Sequence, residues 1–168
     1  MNGPELTWRE LPRSFRTLGA WITVVQLIGY TTALGYIWWT TRMVPTGIAA
    51  RYRGSESDTT SATMQFGKSL PEMLGLTHTH LLSMAVIFLL SGGALALCES
   101  VSERWRRVLI AEPFAALLVS FSAMWLMRYA DHRFAWLLEA SSLLMAATFY
   151  LQCVLVLREL RAVRRTAG

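Results

Sequence analysis

Charge is what this sequence is short of. Asp, Glu, Lys and Arg make up only 16% of its 168 residues, against about 25% in an ordinary soluble domain. Histidine is rarer, with three in the chain, and cysteine rarer again, with two. Cys98 and Cys153 fall near the ends of the second and fourth apolar blocks, on one side of an up-and-down topology. That side is the reducing one, so both read as buried small hydrophobes rather than disulfide partners. Soluble-enzyme motifs are also missing. There is no phosphate-cradling glycine loop, no nucleophile elbow, no C-x-x-C-H and no H-E-x-x-H. The chain is therefore not read as an enzyme on its own.

Apolar residues fill the gap, at 54% of the chain. They fall into four blocks, about 18–40, 76–98, 108–127 and 134–157. Each is close to the roughly 20 residues that carry a helix across a ~30 Å hydrocarbon core. One such block fits a buried soluble helix. Four in succession predict an all-α, integral-membrane four-helix bundle, a single membrane domain over residues 1–168. The short links "ESVSER" and "YADHR" favour antiparallel neighbours, hence up-down-up-down order. The first block is too long for a signal-peptide h-region, and "GYIWWTTRM" after it offers no cleavage site, so it is expected to remain as a span.

Basic residues set the orientation. Arg9, Arg13, Arg16, Arg104, Arg106, Arg107, Arg158, Arg161, Arg164 and Arg165 lie on one side of the expected spans. Arg42, Arg51, Arg53, Lys68, Arg128 and Arg133 lie on the other. The positive-inside rule puts the richer side, with both termini, in the cytoplasm. Trp38, Trp39, Trp125 and Trp136 then mark the outer interface, and Trp21 and Trp105 the inner one. Span-flanking arginines account for the basic balance without nucleic acid. The expected setting is a bacterial inner membrane, with lipid as the immediate partner.

The connection at about 42–69 is the only long one. Its "RGSESDTTSATMQ" section is rich in serine and threonine and reads as irregular and solvated. At its end, S-L-P-E sets Ser69 three residues before Glu72 with Pro71 inside the first turn. That is a capping box, and it predicts that the second helix starts near Leu70.

His78 and His80 open the second span in T-H-T-H, and His132 sits in the turn between the third and fourth. All three are expected at the outer side. Met84, Met127, Arg128, Asp131 and Glu139 lie at comparable depth. A carboxylate as deep as Glu139 is costly and usually faces the bundle interior, so Arg128 or a histidine is its expected partner. Residues i and i+2 of a helix point about 200° apart, so His78 and His80 cannot both ligate one ion. A haem b would take one of them with His132; copper or zinc would take the same pair with Met84 or Glu139. In the plainer reading the imidazoles bond to water, headgroups or a partner. His78 shares its face with Ala85, Gly92 and Ala96, and His80 shares its face with Met84, Ile87 and Ser91, so spacing leaves open which turns inward. Deeper, Glu112 beside Pro113 is a second costly carboxylate, with Gln152 as its expected hydrogen-bond partner and a kink expected at the proline. Gln26, alone at mid-depth, argues against a transport path.

The segment "YRGSESD…FGKSLPEMLGLTHTHLLSMAVIFLLSGG" resembles an uncharacterised group of small four-helix bacterial membrane proteins. The likeness rests on Y-R-G at 52–54, F-x-K-S at 66–69, E-x-L at 72–74 and T-H-x-H at 77–80. The H-x-H that opens a glycine-containing helix is also similar to small homologues of the haem–copper oxidase large subunit, which carry further histidines that this chain lacks. The resemblance implies an accessory subunit of a respiratory or photosynthetic redox complex, with haem b held by histidines near the periplasmic face. The competing reading is a cofactor-free structural or assembly subunit packed against partner membrane helices.

Overall fold

A computed structural model describes residues 6–55 and 65–166. The described residues form five helices and no strand: α1 (Arg13–Thr41), α2 (Pro45–Arg53), α3 (Leu70–Ala96), α4 (Glu103–Tyr129) and α5 (Phe134–Thr166). α1, α3, α4 and α5 are each long and apolar enough to cross a membrane. They coincide with the four expected spans, lengthened at their polar ends. The protein is a multi-pass membrane protein.

Local chemistry sets the helix ends. The Ser69 N–H donates to Glu72 Oε2 at 2.7 Å, and α3 starts at the next residue, as the capping box predicts. α1 stops where Arg42 and Met43 take positive φ, 57° and 52°, a region that non-glycine residues seldom enter. Thr41 Oγ1 accepts the Met43 N–H at 3.1 Å and steadies that reversal.

The reversal leads straight into α2, a short helix at the start of the 42–69 connection that the sequence did not announce. Pro45 at its start and Gly54 at its end are the usual helix punctuation. Its nine residues are too few for apolar periodicity to register. The serine- and threonine-rich stretch 56–64 lies outside the described residues.

α4 and α5, joined by the turn at 130–133, form the closest pair. α3 packs on α4, and α1 packs on α5 and more lightly on α3. The bundle thus has a loop end, with α2 and the 130–133 turn, and a terminal end, with Trp8, the end of α5 and the 97–102 turn. Three apolar clusters stack between these ends, around Met127 and Met73 at the loop end, Phe88 and Phe149 in the middle, and Leu95 and Val156 at the terminal end. The outward face of α1 is apolar too, with Leu18, Trp21, Val25 and Ile28 exposed at helical spacing. That is the surface a helix presents to hydrocarbon.

Trp8 closes the terminal end. Its backbone N–H donates to the Leu97 carbonyl at 3.1 Å and its indole Nε1–H to the Ala94 carbonyl at 2.9 Å. These carbonyls sit at the α3 C-terminus, where helical donors run out. Gly19 leaves room for the indole; a Cβ there would overlap it. Cys98 and Cys153 are both free and buried, as the sequence implies.

Candidate functional site

At the loop end, the Y-R-G and F-x-K-S stretches form one unit. Their backbones run side by side, with the Lys68 N–H donating to Tyr52 O at 2.9 Å and the Ser55 N–H to Gln65 O at 2.8 Å. The approach requires glycine on both strands of chain. Gly54 has φ +94°, and a Cβ there would lie 2.7 Å from the Gly67 nitrogen, while a Cβ on Gly67 would run into the Arg53 carbonyl. Arg53 then donates from Nη1 to Met127 O at 2.9 Å and Ala130 O at 3.3 Å, satisfying carbonyls at the α4 C-terminus. Arg128 donates from Nε to Lys68 O at 2.8 Å, and its guanidinium lies 5.1 Å from the Tyr129 ring.

Arg128 is thus committed to the loop. It is not the partner of Glu139, and among the described residues no histidine takes its place. Glu139 is half-buried, with Oε2 buried and without a hydrogen-bond partner among the described residues.

His78, His80 and His132 all stand at the loop end and all are exposed on the bundle surface. His80 leans towards α4, its ring centroid 6.4 Å from that of Phe121. Its Nδ1 lies 3.0 Å from the Leu76 carbonyl. A carbonyl only accepts, so Nδ1 carries the hydrogen and the neutral ring presents a bare Nε2. His132 Nδ1 lies 3.3 Å from Asp131 Oδ1. The Arg133 N–H donates to that carboxylate at 2.8 Å and, with the nearby charges of His132, Arg133 and Arg53, holds it below the ordinary aspartate range. Met84 is turned into the middle apolar cluster. Among the described residues, no three His, Cys, Asp or Glu side chains converge as metal ligands.

A second polar group, lower in the bundle, holds the Glu112, Pro113 and Gln152 that the sequence singles out, with partners other than those expected. Pro113 lacks an N–H, so the carbonyl of Leu109, four residues earlier, loses its helical donor. Gln152 reaches across from α5 and donates to that oxygen from Nε2 at 2.6 Å. The amide nitrogen expected to serve Glu112 is therefore engaged elsewhere. Glu112 Oε1 and Oε2 and Gln152 Oε1 are buried without a hydrogen-bond partner among the described residues. Tyr30 of α1 lies within electrostatic range of both Glu112 and Tyr150. Gln26 is not isolated either. It donates from Nε2 to Ile87 O at 3.2 Å, and one turn on, Thr31 Oγ1 meets the Tyr150 hydroxyl at 2.7 Å.

Polar side chains recur on the buried face of α5, and two of them bond to α4. Ser120 Oγ is 2.7 Å from Ser141 Oγ. Ser141, Thr148, Gln152 and Glu159 are all buried, and they recur along α5 over about 27 Å of helix. Glu159 Oε1 accepts the Glu99 N–H at 3.3 Å. Their helical spacing was the available signal.

Residues 42–167 match a family described as a transmembrane helical domain. The chain belongs to that family. Within the transmembrane helical domain lie α2 to α5, and with them the loop-end unit, the three histidines, Glu112 and Gln152; the match begins just after α1. No functionally described protein and no solved structure matches the chain.

Proposed function

We propose that the protein is a small accessory subunit of a larger bacterial membrane assembly and meets a partner subunit through the loop end of α3. The observation that carries this reading is His80. Its Nδ1–H is fixed on the Leu76 carbonyl, and its Nε2, on an exposed side chain, has no hydrogen bond among the described residues. An imidazole held in one tautomer is oriented to accept a hydrogen bond, or to bind a metal, at its other nitrogen. The arginine distribution supports a periplasmic loop end and cytoplasmic termini. Cysteine placed at Phe66 should take an impermeant label from outside and cysteine at Arg164 should not; the opposite pattern reverses the orientation.

The same observation favours a second reading, in which the assembly is a redox complex and His80 is an axial ligand of haem b. The other ligand is then His132 or a residue of the partner. His80 rather than His78 is the ligand in T-H-T-H under this reading. Both readings are tested by extracting the tagged chain from its native membrane in mild detergent, with and without His80→Ala. Loss of co-purifying subunits, in a preparation with no reduced-haem band, supports the structural subunit. Loss of a haem b band supports the redox reading. Unchanged composition and spectrum remove both.

A further inference from the structure

We propose that the loop end of α1 binds the headgroup phosphate of an anionic phospholipid through Arg42 and Arg51. The surface is separate from the subunit contact on α3 and holds for either orientation of the chain in the membrane. Tyr36, Trp38 and Trp39 fall within one turn near the end of α1, and all three are exposed. Aromatic rings at the end of a span sit at the depth of the lipid headgroups. Both arginines are held on this turn. The Arg42 guanidinium lies 5.0 Å from the Trp38 ring and 5.6 Å from the Trp39 ring. That of Arg51 lies 5.5 Å from the Tyr36 ring, and its Nη2 donates to the Tyr36 hydroxyl at 3.1 Å. A ring face orients a guanidinium while leaving N–H groups at its edge free for a phosphate, whose oxygens match that fork.

No carboxylate answers these two cations. Neither arginine forms an ion pair among the described residues. The acidic groups of the loop end are engaged elsewhere. Glu72 accepts the Ser69 N–H and lies 3.8 Å from Lys68. Asp131 accepts the Arg133 N–H and stands beside His132. The backbone also commits Arg42 to its place. Its φ is 57°, a region that glycine usually fills where a helix ends, and its N–H donates to Trp38 O at 2.8 Å. A cation without a counter-charge, at headgroup depth, is complemented by a net negative lipid. Phosphatidylglycerol brings a phosphodiester with no ammonium group beside it, whereas phosphatidylcholine brings its own cation. A free phosphate offers the same oxygens but has no acyl chains to lie along the exposed apolar face of α1, so the lipid is the occupant.

The full chain is reconstituted in phosphatidylcholine vesicles with a small share of phosphatidylglycerol that carries a photoreactive group beside its phosphate. Cross-linked peptides are located by mass spectrometry. Adducts should form at residues 36–51, and unlabelled phosphatidylglycerol should suppress them where added phosphatidylcholine does not. Arg42→Gln with Arg51→Gln should lower the affinity read from that competition about tenfold or more, the scale of a lost charge-assisted hydrogen bond. Adducts near Arg158 and Arg161, at the other end of the bundle, should be unchanged. Arg42→Lys with Arg51→Lys keeps the charge without the fork and should fall between. Suppression by inorganic phosphate as strong as by the lipid assigns the surface to free phosphate and overturns the proposal. Equal suppression by both lipids, or adducts indifferent to the double glutamine variant, also overturns it. Melting of the same variants covers a folding defect. A loss of stability equal in the two lipids would show that the arginines serve a contact within the protein, and the proposal would fall.

Discussion

Gln152 donates to the carbonyl oxygen of Leu109 at 2.6 Å, the acceptor on α4 that Pro113 strips of its helical donor. A helix defect and a polar side chain, each costly alone in a membrane, cancel across the α4–α5 contact. Gln152→Leu should therefore cost about 1–3 kcal/mol, the penalty of leaving a buried acceptor unpaired. In a Pro113→Ala background the restored N–H serves the same carbonyl, and the glutamine substitution should cost less. Unfolding of the four proteins of this cycle in mixed detergent gives the coupling; additive costs would separate the two residues.

The loop-end unit should be intolerant of one methyl group. Gly67→Ala sets a Cβ against the Arg53 carbonyl, and the backbone there is held on both sides by hydrogen bonds. Overpacking of this kind costs about 1–3 kcal/mol. Gly75→Ala, in α3 with nothing within 4 Å of the added carbon, should be neutral or stabilising, since alanine is the better helix former. Melting temperatures of the two variants in one detergent compare them directly, and equal shifts would contradict the close approach.

Trp8 should guard Cys98. The cysteine is fully buried beneath the same terminal cluster as the indole. Burial first, and the nearby Glu159 carboxylate second, push its thiol up to about 12. The thiolate is the reactive form, so maleimide should leave native Cys98 unmodified at neutral pH. Trp8→Ala removes the cover and should open Cys98 to labelling while Cys153, in the middle cluster, stays silent. Equal protection in both proteins would show that the N-terminal segment is not the lid.

Asp131 supplies an acid-side dependence. Its carboxylate is held below the ordinary value of 3.8, first by the Arg133 N–H. The folded value is thus lower than the unfolded one. The contribution is present in full above about the unfolded value and is lost as pH falls through the folded value. The native chain should lose more melting temperature on acidification below the unfolded value than Asp131→Asn does. Parallel losses would mean that the turn at 130–133 does not hold the charge.

The sequence by itself determined the class of this protein and where α3 begins. Four apolar runs of membrane length are a local property, and so is the S-L-P-E capping box, because Ser69 and Glu72 meet within one turn. The distribution of arginines needs no coordinates either. Only the tertiary structure decided which way each helix faces. In water, an apolar stripe tells a helix which side to bury. In lipid the outward face is as apolar as the inward one, so the outward Leu18, Trp21, Val25 and Ile28 look no different from a core. For that reason, spacing could show that His78 and His80 diverge but could not say that both would be exposed. The partner of Gln152 was hidden for a related reason. The carbonyl it serves belongs to the backbone of another helix and was freed by a proline four residues away, and no residue type records an unpaired carbonyl. Trp8, read in isolation, is one more aromatic near an end. It becomes a cover only when α3 terminates beneath it and Gly19 leaves room.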